Sequence, residues 1–161
     1  MKVAAVQLTS TGNVTENQEL ALAKIREAAG NGARLIVLPE ATAQNFRSGR
    51  LDEQAQTLEG PFATAIQALA EELEVTVVAG MFCPADTVER EGKTINRVTN
   101  TALIAGPGVL GGYDKIHTYD AFDYRESDTV FAGESLVAFD VDDLIVGVAT
   151  CYDIRFPEQF K

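Results

Sequence analysis

The chain opens on two short apolar runs, Lys2–Leu8 and Arg34–Leu38, set on either side of one helical segment. Between them Thr15-Glu-Asn-Gln18 has the form of a capping box, with the threonine capping and Gln18 reaching back to it. Leu22, Ile25 and Ala29 follow at helical spacing, and Gly30 and Gly32 suit a helix stop. Strand, helix and strand in this order predict a parallel pair joined by a right-handed crossover. The chain therefore starts as an α/β sheet.

The alternation continues, then breaks. Pro39 and Glu40 close the second run, and polar, irregular Ala41–Gln56 reads as a loop over the strand ends. Gly60-Pro61 opens a second helix whose buried face is Phe62, Ile66, Leu69 and Leu73, and Val75–Gly80 is a third strand. Pro84–Lys93 reads as a charged loop. Arg97–Ala105 and Val109–Asp114 read as strands joined by the turn Gly106-Pro-Gly108, which makes them antiparallel and the sheet mixed. His117–Gly133 is a further polar loop. Ser135–Phe139 and Leu144–Thr150 pair as a hairpin around Asp140-Val-Asp-Asp143, the second run being apolar enough for a strand buried on both faces. Phe156–Phe160 reads as the start of a helix.

At 161 residues the chain has room for one domain with a sizeable core. A net charge of -11 and the lack of any basic cluster argue against nucleic acid or an anionic membrane as partner. Cys83 and Cys151 cannot make a disulfide framework, and His117, the only histidine, cannot anchor a histidine-rich metal site. The first residues lack the apolar core of a signal peptide, and no run approaches the length of a membrane span. A reducing, cytoplasmic location is the expectation.

Three reactive side chains stand just past apolar strands: Glu40, Lys115 and Cys151. Open α/β sheets place their ligands at such ends. Taken alone, Cys151 reads as a small buried hydrophobe, Leu-Pro-Glu40 as a turn, and Lys115 beside Asp114 as a solvated ion pair. Together they form an acyl-transfer set: the thiolate attacks, the carboxylate moves protons and the ammonium stabilises the oxyanion. Free cysteine and glutamate differ by roughly 4 pKa units, so an unperturbed pair leaves the proton on sulfur by about 6 kcal/mol. A dry pocket holding an ammonium narrows that gap from both sides. The rival base is His117, which would need to lie within hydrogen-bond reach of the thiol. Cys83 reads as core.

Four stretches carry a family resemblance: Leu35-Ile-Val-Leu-Pro-Glu40, Gly112–Asp120, Arg125-Glu-Ser127 and Gly147–Glu158. In that order they resemble the N-terminal part of a nitrilase-superfamily carbon-nitrogen hydrolase. The resemblance implies a mixed β-sheet with helices on one face, the first half of an α-β-β-α sandwich. It implies Glu40 as general base and acid, Lys115 as oxyanion stabiliser, Cys151 as nucleophile and Glu126 as the second glutamate that positions Lys115 and the substrate. The backbone N–H of Tyr152 would be a second oxyanion donor, with structural roles for Asp153 and Arg155 and a place behind the reacting groups for His117. No metal or organic cofactor is implied. The partners implied are a small amide and water, and a homo-oligomer in the full-length form. Tyr113–Phe122 and Cys151–Glu158 look most like the ω-amidase and deaminated-glutathione-amidase branch.

Two departures stand out. Asp114 occupies a place where the family often has arginine, and the family domain continues well past the cysteine motif. Residues 1–161 are thus expected to be a carbon-nitrogen hydrolase domain cut after its nucleophile. The alternative to an amidase is an inactive half-domain that serves in assembly or binding. A flavodoxin-like nucleotide binder is disfavoured, because no glycine-rich loop separates the first strand from the first helix.

Overall fold

The computed structural model of the chain describes residues 1–161. β1 (Val3–Ala5) leads into α1 (Val14–Gly30), and β2 (Leu35–Val37) leads into α2 (Pro61–Glu72). β3 (Thr76–Arg90), β4 (Lys93–Gly106) and β5 (Val109–Asp114) follow. The sheet order is β1-β2-β3-β4-β5, parallel across the first three strands and antiparallel across the last three. β6 (Asp120–Ala121) and β7 (Tyr124–Arg125) form a small separate hairpin. β8 (Val130–Phe131) then runs parallel to β4 at Val98 and Thr99, beyond the residues that β5 pairs.

Strand alternation sorts the core into two faces. Ile36, Val77, Ala79, Met81, Leu103 and Ala105 point to the side carrying both helices, where they meet Ile25, Phe62, Ile66 and Leu69. Phe62, Ile66 and Ile25 are fully buried, each contributing on the order of 1.5–3 kcal/mol by burial. Leu35, Val78 and Ile104 point the other way, onto a hairpin of β9 (Ala138–Val141) and β10 (Leu144–Gly147). The result is a mixed sheet with helices on one face and a two-stranded layer on the other. No helix is long and apolar enough to cross a membrane.

Several sequence expectations need correction. The cap of α1 is Asn13, whose side chain accepts from the amides of Thr15 and Glu16, so Thr15 lies inside the helix. Leu73 sits at the C-cap of α2, partly buried against the same core, and Ala63 and Ala70 add to that helix's buried face. Pro84–Lys93 is not a loop: β3 and β4 continue through it as a hairpin, with the ladder shifted between Pro84 and Thr87. Its arms are solvated and carry polar partners such as Arg97 with Asp86 and Thr94 with Glu89, which is why they resemble a loop in sequence. Within His117–Gly133 the structure adds β6, β7, a 3-10 turn at Glu126–Asp128, and β8. β10 is not buried on both faces. Val146 packs inward while Ile145, on the opposite face, is 80% exposed because no layer of this chain covers the hairpin's outer side; Leu144, at the start of the strand, is 51% exposed. Pro157–Phe160 is a short 3-10 turn.

Candidate active site

Glu40 follows β2 on a loop held hard against β3. Gly80 makes this possible, since a Cβ there would lie 2.4 Å from the Ala41 nitrogen and 2.7 Å from the Pro39 oxygen. The Thr42 hydroxyl donates to Pro39 O at 2.6 Å, and the Ala43 amide donates to Gly80 O at 2.9 Å. Lys115 follows β5, its amide donating to Asn100 O at 2.9 Å and its carbonyl accepting from Gly133 N at 2.9 Å. Cys151 begins a 3-10 turn, Cys151–Arg155, capped by the Thr150 side chain with Asp153 reciprocating. Its φ of 50° lies in the left-handed region, which β-carbon-bearing residues adopt only where surroundings enforce it.

These elements bring Glu40, Lys115, Glu126 and Cys151 to one cleft of about 440 Å³, with Phe46, Arg47, Tyr119 and Tyr124 completing its walls. Lys115 and Glu126 are each 2% exposed. The ammonium donates to Glu126 at 2.9 and 3.1 Å and to Glu40 Oε1 at 3.2 Å. Glu126 also accepts the Tyr119 amide at 2.7 Å. Burial disfavours the charged lysine, but Glu126 and Glu40 outweigh it and leave the Lys115 pKa raised, so the side chain is an ammonium at neutral pH. Burial raises the Cys151 thiol pKa and the Glu40 carboxylate raises it further, with Lys115 opposing.

Asn100 is the residue the sequence reading missed. Its amide Nδ2 donates to Glu40 Oε1 at 2.7 Å and to Glu126 Oε1 at 3.3 Å, so one side chain ties the two carboxylates together. A signal was present: Thr99-Asn-Thr101 is a polar triplet inside a strand otherwise reading as core, and all three residues are buried.

The remaining candidates fall elsewhere. His117 is not hydrogen-bonded to the thiol; its Nδ1 meets Asp153 at 2.8 Å and its ring stacks on Phe156 at 3.6 Å. Asp153 is fully buried, and although burial alone would raise its pKa, hydrogen bonds from Tyr113, Thr150 and His117 leave it lowered. Tyr113 in turn is pushed up to about 12 by burial and by Asp153. Arg155 is exposed and joins no ion pair. Cys83 is half-buried against the core, with burial pushing its thiol up. The Tyr152 amide donates to no protein acceptor. No group of three or more His, Cys, Asp or Glu side chains is arranged to hold a metal ion.

Comparison with known proteins gives a consistent result. The family model described as carbon-nitrogen hydrolase matches residues 2–161. A hydrolase of Mycobacterium tuberculosis is 41% identical over 99% of this chain and 55% of its own length. A deaminated glutathione amidase of Synechocystis is 36% identical over 98% of this chain and 60% of its own length. A solved CN-hydrolase superfamily protein from Xanthomonas campestris superposes with a TM-score of 0.79 at 25% identity, covering 97% of this chain and 55% of that one. The chain thus spans a little over half the length of the curated relatives it matches.

Proposed function

Because the chain belongs to the carbon-nitrogen hydrolase family, we propose that it serves an amidase that cleaves a small linear amide through a thioester on Cys151. The observation that carries this reading is a buried ammonium, Lys115, held between Glu40 and Glu126 in the cleft that Cys151 lines. Sγ of Cys151 attacks the amide carbonyl while its proton passes to Glu40. The carbonyl oxygen becomes an oxyanion facing the Lys115 ammonium and the Tyr152 amide. Collapse breaks the C–N bond, the Glu40 proton leaves with ammonia, and a thioester remains. Glu40 then takes a proton from water, the hydroxide attacks the thioester, and the acid and the free thiol are released.

On the cysteine side the gap does not narrow as the sequence led one to expect: burial and the Glu40 carboxylate outweigh Lys115, so the thiol pKa is raised and the resting cysteine keeps its proton until Glu40 removes it. Glu126 and Asn100 position Lys115 and Glu40 and stay off the reacting atoms. The commitment of His117 to Asp153 and Phe156 favours Glu40 over His117 as base. Two free cysteines, one of them the nucleophile, suit a reducing, cytoplasmic compartment.

The test is acyl-enzyme trapping with a small amide, read by mass spectrometry. Cys151→Ala should abolish the thioester; a thioester found on Cys83 would overturn the assignment. Glu40→Gln should remove turnover and His117→Ala should retain it, whereas the reverse pattern would make His117 the base.

A further inference from the structure

Asp153 takes no part in the chemistry proposed above, yet it is buried completely and its carboxylate is saturated with hydrogen bonds. Oδ2 accepts the Tyr113 hydroxyl at 2.6 Å and the Thr150 amide at 2.9 Å. Oδ1 accepts the His117 amide at 2.9 Å and meets His117 Nδ1 at 2.8 Å. Thr150 is the residue before Cys151. Tyr113 and His117 flank Lys115, two positions before and two after it. We propose that Asp153 is a positioning residue that sets the separation between Cys151 and Lys115; this rests on the roles given to those two residues above.

The local structure supports a device of this kind. Cys151 holds a left-handed backbone that an L residue does not choose unaided, and the capped turn around Asp153 enforces it. The partners of Asp153 are themselves fixed. The His117 ring lies 3.6 Å from Phe156 at an interplanar angle of 6°, and Gln159 Nε2 donates to the Tyr113 hydroxyl at 2.7 Å. One carboxylate therefore joins the chain entering the nucleophile turn to the chain on both sides of the lysine.

The chemistry of the four donors makes the charge indispensable. An asparagine has the same shape but accepts at one end only and donates at the other. The Tyr113 hydroxyl and the His117 ring can reverse their roles. The amides of Thr150 and His117 cannot. Whichever way the substituted side-chain amide turns, its NH2 faces a backbone N–H, beside Cys151 in one orientation and beside Lys115 in the other. Asp153→Asn thus leaves size unchanged and displaces one reacting group relative to the other.

The experiment compares Asp153→Asn and Tyr113→Phe with the natural protein in amide hydrolysis, thermal melting, and alkylation of Cys151 and Cys83 by iodoacetamide. Asp153→Asn should lose about 100-fold in kcat with KM held within about threefold, the cost of a misplacement on the order of 1 Å. Tyr113→Phe keeps both backbone bonds and should lose less, about tenfold in kcat with KM again held. A folded Asp153→Asn variant whose kcat stays within about threefold, or which changes KM alone, overturns the proposal. If that variant does not fold, Tyr113→Phe decides: an unchanged kcat refutes the positioning role. If the natural protein hydrolyses none of the amides, the proposed function fails, and alkylation still tests the positioning. A rate at Cys151 altered about tenfold with Cys83 unaffected supports it, and equal rates in variant and natural protein refute it.

Discussion

Lys115→Met separates what the buried lysine does for stability from what it does for chemistry. Methionine fills a similar volume but removes the charge between Glu40 and Glu126. The Lys115 and Glu126 side chains are 2% and 3% exposed, so solvent does little to screen the carboxylate left behind. Breaking such a pair from one side costs about 3–5 kcal/mol, because an uncompensated charge stays buried. Adding Glu126→Gln removes that charge, and the double variant should recover to within about 1–2 kcal/mol of the natural protein. On the mechanism proposed above turnover should not recover, since loss of one oxyanion donor costs on the order of 3 kcal/mol in barrier height, or 10²–10³-fold. The sign of the pH dependence follows from the raised pKa of Lys115. Its contribution is fully present below the unfolded value of 10.5 and is lost as pH rises through the higher folded value. The stability gap between natural protein and Lys115→Met should therefore hold steady across neutral pH and narrow only in strong alkali. Urea unfolding at several pH values, with kcat measured alongside, checks both halves. A single variant within about 1 kcal/mol of the natural protein, or a double variant no more stable than the single, would refute the reasoning.

Three further outcomes are expected. Because burial and Glu40 raise the Cys151 thiol, its alkylation by iodoacetamide should still be accelerating as pH passes 9.0, and Lys115→Met should move the profile higher; a plateau near neutral pH would contradict this. Gly80→Ala places a Cβ 2.4 Å from the Ala41 nitrogen, so it should cost about 1–3 kcal/mol by thermal melting and reduce kcat through Glu40. Asn100→Ala removes the donor shared by Glu40 and Glu126 and should destabilise the protein by about 1–3 kcal/mol in urea unfolding.

The parts of the molecule most legible in the sequence are those marked by short local stretches, singly at a helix start or together at the strand ends. The apolar runs around β2 and β5, each ending in a reactive residue, led to Glu40 and Lys115, and the structure brings both to the cleft with Cys151 and Glu126. Gly60-Pro61 marked the start of α2 correctly. The misses came where partners distant in sequence decide the outcome. The arms of the β3–β4 hairpin are strands because they pair with each other, although their composition suits a loop. β10 is apolar without being enclosed, since burial depends on what lies over it and not on the residues themselves. Asn100 gains its meaning only when β2, β5 and the Glu126 turn converge on it, and Asp153 only when the Lys115 segment closes over the Cys151 turn.

The shift in the β3–β4 ladder between Pro84 and Thr87 also divides that hairpin into two halves that should open at different rates. The inner half, Val77–Pro84 against Val98–Ala105, lies in the packed sheet, while the outer half, Thr87–Arg90 against Lys93–Asn96, stands largely in solvent. Pro84, with no N–H to give, marks the break. Amide hydrogen exchange should therefore find two cooperative units, the outer one opening alone and often, the inner one only with the core. Asn100 belongs to the inner half, so the tie between Glu40 and Glu126 would persist through every opening of the outer arm and be released on the slowest clock in the molecule.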